Sequence, residues 1–513
     1  MRMIDYLDRG AAHYPDRICL LDELARIDYR TAVSDSHRIG RGLLAAKLSP
    51  GAKAAVLSPN DARAFQAVLG ILRAAMTWIP LNARNLLDEN IYFLTANDCE
   101  FLFFHSQFEQ DVARICREAP GLKGLVCLDR TSEHAPSLAD WMAEFTSGQD
   151  LDIPQAPDDV AAILSTGGTT GRPKGVMLTH LNFETMSANF LACMPITEPP
   201  VYLVAAPMTH AAGLTAFPLI AMGATNVILA KPEPEAIVEA IQRHRVSHLF
   251  LPPTVIYMLL AHPRVHEYDY RSLRNFLYAA APMSVDKLKQ AMSIFGPVMT
   301  QTFGQAESPM ICTYMSPQDH LGASDARLAS CGRATPFTQV GIMDDNGHLL
   351  PCGERGEIVL RGNLVMKGYY KTPDATAEAS RHGWHHTGDI GQMDEAGYVY
   401  IVDRKKDMII SGGFNIYPSE IEQVIWSHPA VQDCAVIGVP DDKWGEAVKA
   451  IVELKPGATA TIEQLLAHCR QQLGGMKTPK SIEFTPALPR SPVGKVLKKE
   501  LRLRYWEGHD RKI

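Results

Sequence analysis

A chain of 513 residues exceeds what one hydrophobic core supports, since single cores stop growing near ~250–300 residues, so at least two domains are expected. Its composition, 46% hydrophobic and 21% charged with no low-complexity tract, is that of a globular protein rather than a disordered or fibrous one. The net charge of -7 argues against a nucleic-acid partner, which would favour a basic domain or stripe.

The first four hundred residues alternate short apolar runs with helical patterns. Runs at Ala54–Leu57, Phe101–Phe104, Leu125–Leu128, Ala161–Leu164, Val201–Ala205, Asn226–Leu229, His248–Leu251 and Asn275–Ala279 read as strands, with helices such as Asp61–Ala75 and Glu233–His244 between them. Strand–helix alternation of this kind argues an α/β class with largely parallel sheets flanked by helices. After about Gly332 the texture changes to short strands with Gly-rich turns (Gly341–Met343, Gly356–Leu360, Gly397–Val402), which predicts a β-rich subdomain.

The charged turn Asp403-Arg404-Lys405-Lys406-Asp407 then precedes a mixed α+β ending: helix Pro418–Ser427, strands Val431–Val439 and Ala447–Glu453, helix Thr461–Leu473 and a strand near Ile482–Phe484. The expected domains are 1–403 and a small mobile unit, 404–513. From Arg404 onward there are 17 Lys and Arg against 13 Asp and Glu, so this mildly basic part stands against an acidic remainder.

Val201 to Ala230 holds no Asp, Glu, Lys or Arg, and is long enough to span a bilayer at ~20 residues. Pro207, His210, Gly213, Pro218, Gly223 and Asn226 interrupt it, so two buried strands with a helix between them are expected instead of a membrane span. The N-terminus places Asp5, Asp8 and Arg9 where a signal peptide needs an apolar stretch. The ten cysteines, from Cys19 to Cys469, show no metal or redox spacing and read as reduced thiols of a cytoplasmic protein.

The sharpest chemical signal is Leu164-Ser-Thr-Gly-Gly-Thr-Thr-Gly-Arg-Pro-Lys-Gly-Val-Met-Leu-Thr-His180. Glycines let the backbone approach an anion, threonine hydroxyls donate to phosphate oxygens, and Lys174 adds a point charge. It is not the Walker pattern, which ends in Gly-Lys-Ser/Thr.

This segment resembles the phosphate-loop signature of the ANL superfamily of adenylate-forming enzymes: acyl-CoA synthetases, peptide-synthetase adenylation domains and luciferases. Further segments repeat the likeness in order: Thr302-Phe-Gly-Gln-Ala-Glu307, Gly383-Trp-His-His-Thr-Gly-Asp389, the turn 403–407, Ser411-Gly-Gly-Phe-Asn-Ile-Tyr-Pro418 and Pro489-Arg-Ser-Pro-Val-Gly-Lys495.

The resemblance implies ATP, Mg²⁺ and coenzyme A as reaction partners of a small carboxylate, and a role for each matched residue. Ser165, Thr166, Gly167, Gly168, Thr169, Thr170, Gly171 and Lys174 would cradle phosphates, with Thr166 and Glu307 holding the metal. Phe303, with Thr302, Gly304 and Ala306 beside it, would stack on adenine against the turn Ala280-Ala281-Pro282. Asp389 and Arg404 would take the ribose, and Lys495 would reach the α-phosphate and the reacting carboxylate. His210, Gly213, Ala279, Ala280, Thr302 and Gly304 would shape the acyl pocket. Gly412 and Gly413 would wall a pantetheine tunnel, and Lys406 would be the hinge.

Two departures stand out: Phe303 where the family has Tyr, and Ala306 where it has Thr, which removes a hydroxyl near the α-phosphate. Acetate-activating relatives place a Trp where this chain has Gly304, so a larger acid, medium-chain fatty or aryl, is expected. No Lys or Arg in the pocket segments suits a dicarboxylate.

The implied reaction is AMP-forming acyl-CoA synthesis by an acid–thiol ligase, as a monomer or homodimer without a transmembrane segment, with peripheral membrane contact left open. The alternatives are an adenylation enzyme loading a carrier protein, a luciferase-like oxygenase and a non-catalytic AMP- or acyl-binding regulator.

Overall fold

The computed structural model describes residues 1–166, 172–411, 414–441, 443–491 and 495–506. Two large sheets dominate. One has nine strands, and its six central members (Ile18–Leu21, Thr225–Ile228, Val201–Val204, His248–Leu251, Asn275–Tyr278, Met299–Gln305) run parallel. The other has seven, with a parallel core of Val160–Ser165, Thr77–Asn82, Lys53–Ser58, Cys99–Phe104 and Gly124–Cys127.

The alternation of side chains along each strand explains the layering. In Lys53–Ser58, Ala54 and Val56 face the largest core while Ala55 and Leu57 face a second. In Val201–Val204, Tyr202 and Val204 join that largest core and Leu203 a third. The largest core lies between the two sheets and contains the helices Tyr29–Ala45, Ala62–Arg73, His180–Cys193 and Ala211–Ile220. Other helices cover the outer faces, so both sheets are buried on both sides.

The uncharged stretch resolves into strand Val201–Val204, helix Ala211–Ile220 and strand Thr225–Ile228, all within the core. Among the described residues, no helix is long and apolar enough to cross a membrane.

A four-stranded antiparallel sheet follows (Gln339–Met343, Gly356–Arg361, His385–Met393, Val399–Arg404). It ends at Arg404. After a single 3₁₀ turn, Lys405–Asp407, a separate five-stranded sheet begins at Ile409. Helices Pro418–Trp426 and Ile462–Lys477 pack with that sheet around a core of their own.

The closing helix Lys498–Trp506, not foreseen in the sequence, is pinned by ion pairs. Lys498 meets Glu422 at 2.7 Å, and Arg502 pairs with Asp407. Arg355, immediately before strand Gly356–Arg361 of the four-stranded sheet, meets Glu420 of helix Pro418–Trp426 at 2.8 Å.

Candidate active site

Ligands of parallel sheets gather beyond the carboxyl ends of the strands. Ser165 and Thr166 end one such strand, Ala279 and Ala280 follow another, and Thr302 to Gln305 end a third. The loop from Val201–Val204 leads to His210, which caps helix Ala211–Ile220.

The base of the phosphate loop is a closed antiparallel pair, Ser165 opposite Gly175. The Thr166 amide donates to the Lys174 carbonyl, and the Lys174 amide donates to Thr166 Oγ1, both at 3.1 Å. Gly167, Gly168, Thr169, Thr170 and Gly171 lie outside the described residues, as do Gly412 and Gly413 of the expected tunnel. The Lys174 ammonium sits 4.8 Å from the centroid of the Tyr369 ring, and the Tyr369 hydroxyl donates to Glu307 Oε1 at 2.7 Å.

Around this centre, among the described residues, Thr302 Oγ1, Gln305 Nε2 and Asp389 Oδ2 are buried polar atoms without a hydrogen-bond partner. Buried polar groups are nearly always hydrogen-bonded, so a cluster of exceptions marks where a polar ligand fits. Asp389 is informative. Its Oδ1 pairs with Arg404 Nε at 2.7 Å across adjacent strands, and Oδ2 is left over, as a ribose hydroxyl would require. Burial raises the Asp389 pKa, and Arg404 and Lys495 oppose that rise.

Ala280 has φ +75° and Met310 φ +65°, conformations that cost about 1–3 kcal/mol for non-glycine residues and collect at functional sites. The Ala279–Pro282 turn is open to the cleft, with Ala280 and Pro282 exposed, while Phe303 is buried. Ala306 is half-buried and packs against the largest core.

Gly304 and Gly213 do more than leave room. A Cβ on Gly304 would lie 2.7 Å from the Met310 backbone, and one on Gly213 would lie 1.9 Å from the Met208 carbonyl oxygen. Both glycines permit close backbone approach, and the missing side-chain volume is already occupied by protein.

Lys495 comes from the far end of the chain into this cleft. Its amide donates to Ser491 Oγ at 3.1 Å and its carbonyl accepts from the Ser491 amide at 2.7 Å, while residues 492–494 lie outside the described set. Protein surrounds the amine although the side chain keeps access to solvent. The loss of hydration, with Arg404 and Lys406 nearby, pushes its pKa down to about 8 against the opposing pull of Asp389 and Glu307. The cation from near the end of the chain thus shares a field with Asp389 and Glu307, which lie far from it in sequence.

His210 is held near a pKa of about 4 by burial, then by the charges of Lys495 and Arg84, so its imidazole is neutral. Its Nδ1 lies 2.9 Å from Thr209 Oγ1. The exposed hinge candidate Lys406 has its pKa lowered, burial first.

Sequence reasoning passed over Tyr369, His385 and Arg84. Arg84 follows strand Thr77–Asn82 with no motif around it, and Tyr369 stands in a plain Gly-Tyr-Tyr run. His385 lies inside a matched block, yet nothing local separates it from its neighbour His386.

Residues 7–370 match the family model of AMP-binding enzymes, and residues 420–495 that of the AMP-binding enzyme C-terminal domain. The medium/long-chain-fatty-acid–CoA ligase FadD8 of Mycobacterium tuberculosis is 39% identical over 369 residues, which is 71% of this chain and 64% of that protein. The feruloyl-CoA synthase of an Amycolatopsis species is 36% identical over 475 residues, 91% of this chain and 92% of that one. The crystal structure of ATP-bound MatB from Rhodopseudomonas palustris superposes with a TM-score of 0.87 at 31% identity, covering 97% of this chain and 99% of that one. The chain belongs to the AMP-binding enzyme family, within the ANL superfamily of adenylate-forming enzymes.

Proposed function

We propose that this protein is an AMP-forming acyl-CoA synthetase, an acid–thiol ligase acting on a medium-chain fatty or aryl carboxylic acid. The observation that carries the mechanism is Lys495, brought from near the end of the chain into the field of Asp389 and Glu307. In the first half-reaction a carboxylate oxygen attacks the ATP α-phosphorus, the α–β bridging bond breaks, and pyrophosphate leaves. Two anions approach one another, so fixed positive charge does most of the work.

Lys495 Nζ spans the carboxylate and the α-phosphate. Asp389 accepts from the ribose with Arg404 holding its other oxygen, and adenine lies between Phe303 and the Ala280–Pro282 turn. Glu307 and Thr166 offer the oxygen ligands that Mg²⁺ prefers, and His385 lies in the field of Glu307. Bound there, the metal would neutralise charge on the departing phosphates.

In the second half-reaction the coenzyme A sulfur attacks the acyl carbon and AMP leaves. Neutral His210 lines the thiol's approach without adding a charge. The change of sheet between Arg404 and Ile409 supports a division at 403/404, with Lys406 in the connecting turn as the hinge.

Fatty-acid and feruloyl-CoA ligases among the relatives support the substrate classes. A cytoplasmic location agrees with the use of ATP and coenzyme A. The test is pyrophosphate release on a panel of C6–C14 fatty acids and hydroxycinnamates, with and without coenzyme A. Thioester formed with no member of the panel, despite adenylate formation, would point to a different acceptor.

A further inference from the structure

Glu307 is gripped twice by one short segment. Its backbone carbonyl accepts from the Met366 amide at 2.7 Å, and its Oε1 accepts from the Tyr369 hydroxyl at 2.7 Å. That segment is stitched to the strand leaving the phosphate loop. Gly368 and Tyr369 pair with Met177 and Val176, the Lys367 amide donates to the Met177 carbonyl at 3.0 Å, and the Tyr370 amide donates to the Gly175 carbonyl at 2.8 Å. The Tyr369 ring meanwhile carries the Lys174 ammonium.

Tyr369 therefore touches the acidic residue with its hydroxyl and the loop's basic residue with its ring. A phenol is a donor at neutral pH, and one hydrogen bond fixes a carboxylate that otherwise rotates about its last torsion. Partners of this kind orient metal ligands, and losing them typically weakens metal affinity by 10–100-fold.

We propose that Tyr369 is a positioning residue for the divalent cation: it clamps Oε1 of Glu307 so that Oε2 is presented to the metal, and seats Lys174 beside it, setting Lys174 and the metal ligand as one unit. The inference rests on the reading of Glu307 as a metal ligand, and the experiment separates the two.

Mn²⁺ is titrated by electron paramagnetic resonance into wild type, Tyr369→Phe and Glu307→Gln, each in excess over α,β-methylene-ATP so that all nucleotide is bound. Tyr369→Phe keeps the ring and its contact with Lys174 and removes only the hydroxyl. Its ternary complex is expected to bind Mn²⁺ about tenfold more weakly. The Mg²⁺ concentration for half-maximal adenylation should rise in parallel, with kcat at saturating Mg²⁺ and the melting temperature unchanged. Wild-type Mn²⁺ affinity in Tyr369→Phe beside weakened binding in Glu307→Gln overturns the role of Tyr369 alone. Wild-type affinity in Glu307→Gln overturns the metal reading, and this inference with it. A lowered melting temperature with unchanged Mn²⁺ affinity makes the hydroxyl merely structural, which also refutes the proposal.

Discussion

Replacing Lys495 by Ala should divide the two half-reactions. The amine shares the cleft with Asp389 and Glu307, and its side chain is exposed, so its loss removes charge without emptying a core. Deleting one preorganised donor to a developing anion costs about 10²–10³ in kcat, or about 2.7–4 kcal/mol. Pyrophosphate release should fall by that factor, while single-turnover conversion of synthetic acyl-AMP to acyl-CoA stays within about twofold of wild type.

The pH dependence adds a second readout. The amine works as a cation, and its pKa in the free enzyme is about 8, so kcat/KM for adenylation should fall as pH rises through about 8. Bound phosphates stabilise the ammonium, so the same limb in kcat should lie at higher pH. The residual activity of Lys495→Ala should lack this limb. Equal loss of both half-reactions, or an alkaline limb retained in the variant, would refute the assignment.

Asp389→Asn keeps the shape but removes the charge paired with Arg404. A charge-assisted hydrogen bond is worth about 1.5–3 kcal/mol, so the KM for ATP should rise about 10- to 100-fold in steady-state assays. Gly213→Ala should destabilise the fold by about 1–3 kcal/mol in urea titrations, because its methyl would overlap the Met208 carbonyl. A gain in stability, the usual result of Gly→Ala in a helix, would show that no such crowding exists. Lys406→Pro places a ring that fixes φ near -65° in a 3₁₀ turn, a conformation whose φ generally lies at about -50° to -70°. The variant should therefore hold the present arrangement, forming acyl-AMP and passing it slowly to coenzyme A in a quench-flow assay.

The sheets were legible because strands buried on both faces leave continuous apolar runs, as at Ala54–Leu57 and Phe101–Phe104. Strand Thr77–Asn82 was not, since Thr77, Pro80 and Asn82 break the apolar pattern and a proline argues against a central strand. Its ladder toward Val160–Ser165 is confined to Trp78 opposite Ala162, so the sheet is already open on that side near Pro80. Helix Lys498–Trp506 was missed for a related reason. Its order depends on Arg502 with Asp407, Lys498 with Glu422, and Trp506 Nε1 donating to the Gly438 carbonyl, none of which is local.

The site residues divide the same way. Those inside contiguous motifs could be named from the sequence. Tyr369 meets Glu307 from 62 positions away, and only the pairing of its strand with the phosphate hairpin brings it there.

The distribution of charge across the join between the two parts bears on how the halves of the reaction follow one another. Asp389 and Glu307 belong to the first part and Lys495 to the second, and Lys495 enters the cleft at a cost in hydration visible in its depressed pKa. With ATP and a carboxylate bound, that cost is offset by several negative charges. On the proposed mechanism, departure of pyrophosphate removes most of them and leaves the single charge of the acyl phosphate. The attraction holding Lys495 in place then weakens while its desolvation is unchanged. The surface pair Arg355–Glu420 adds little against this, since partly exposed ion pairs contribute about 0–1 kcal/mol. On the proposed mechanism, the chemistry of the first step therefore weakens the attraction that draws Lys495 into the cleft, and we propose that the bonds from Ser419 to Asp403 and Val402 are what remains to hold the smaller part once acyl-AMP, and not ATP, is bound.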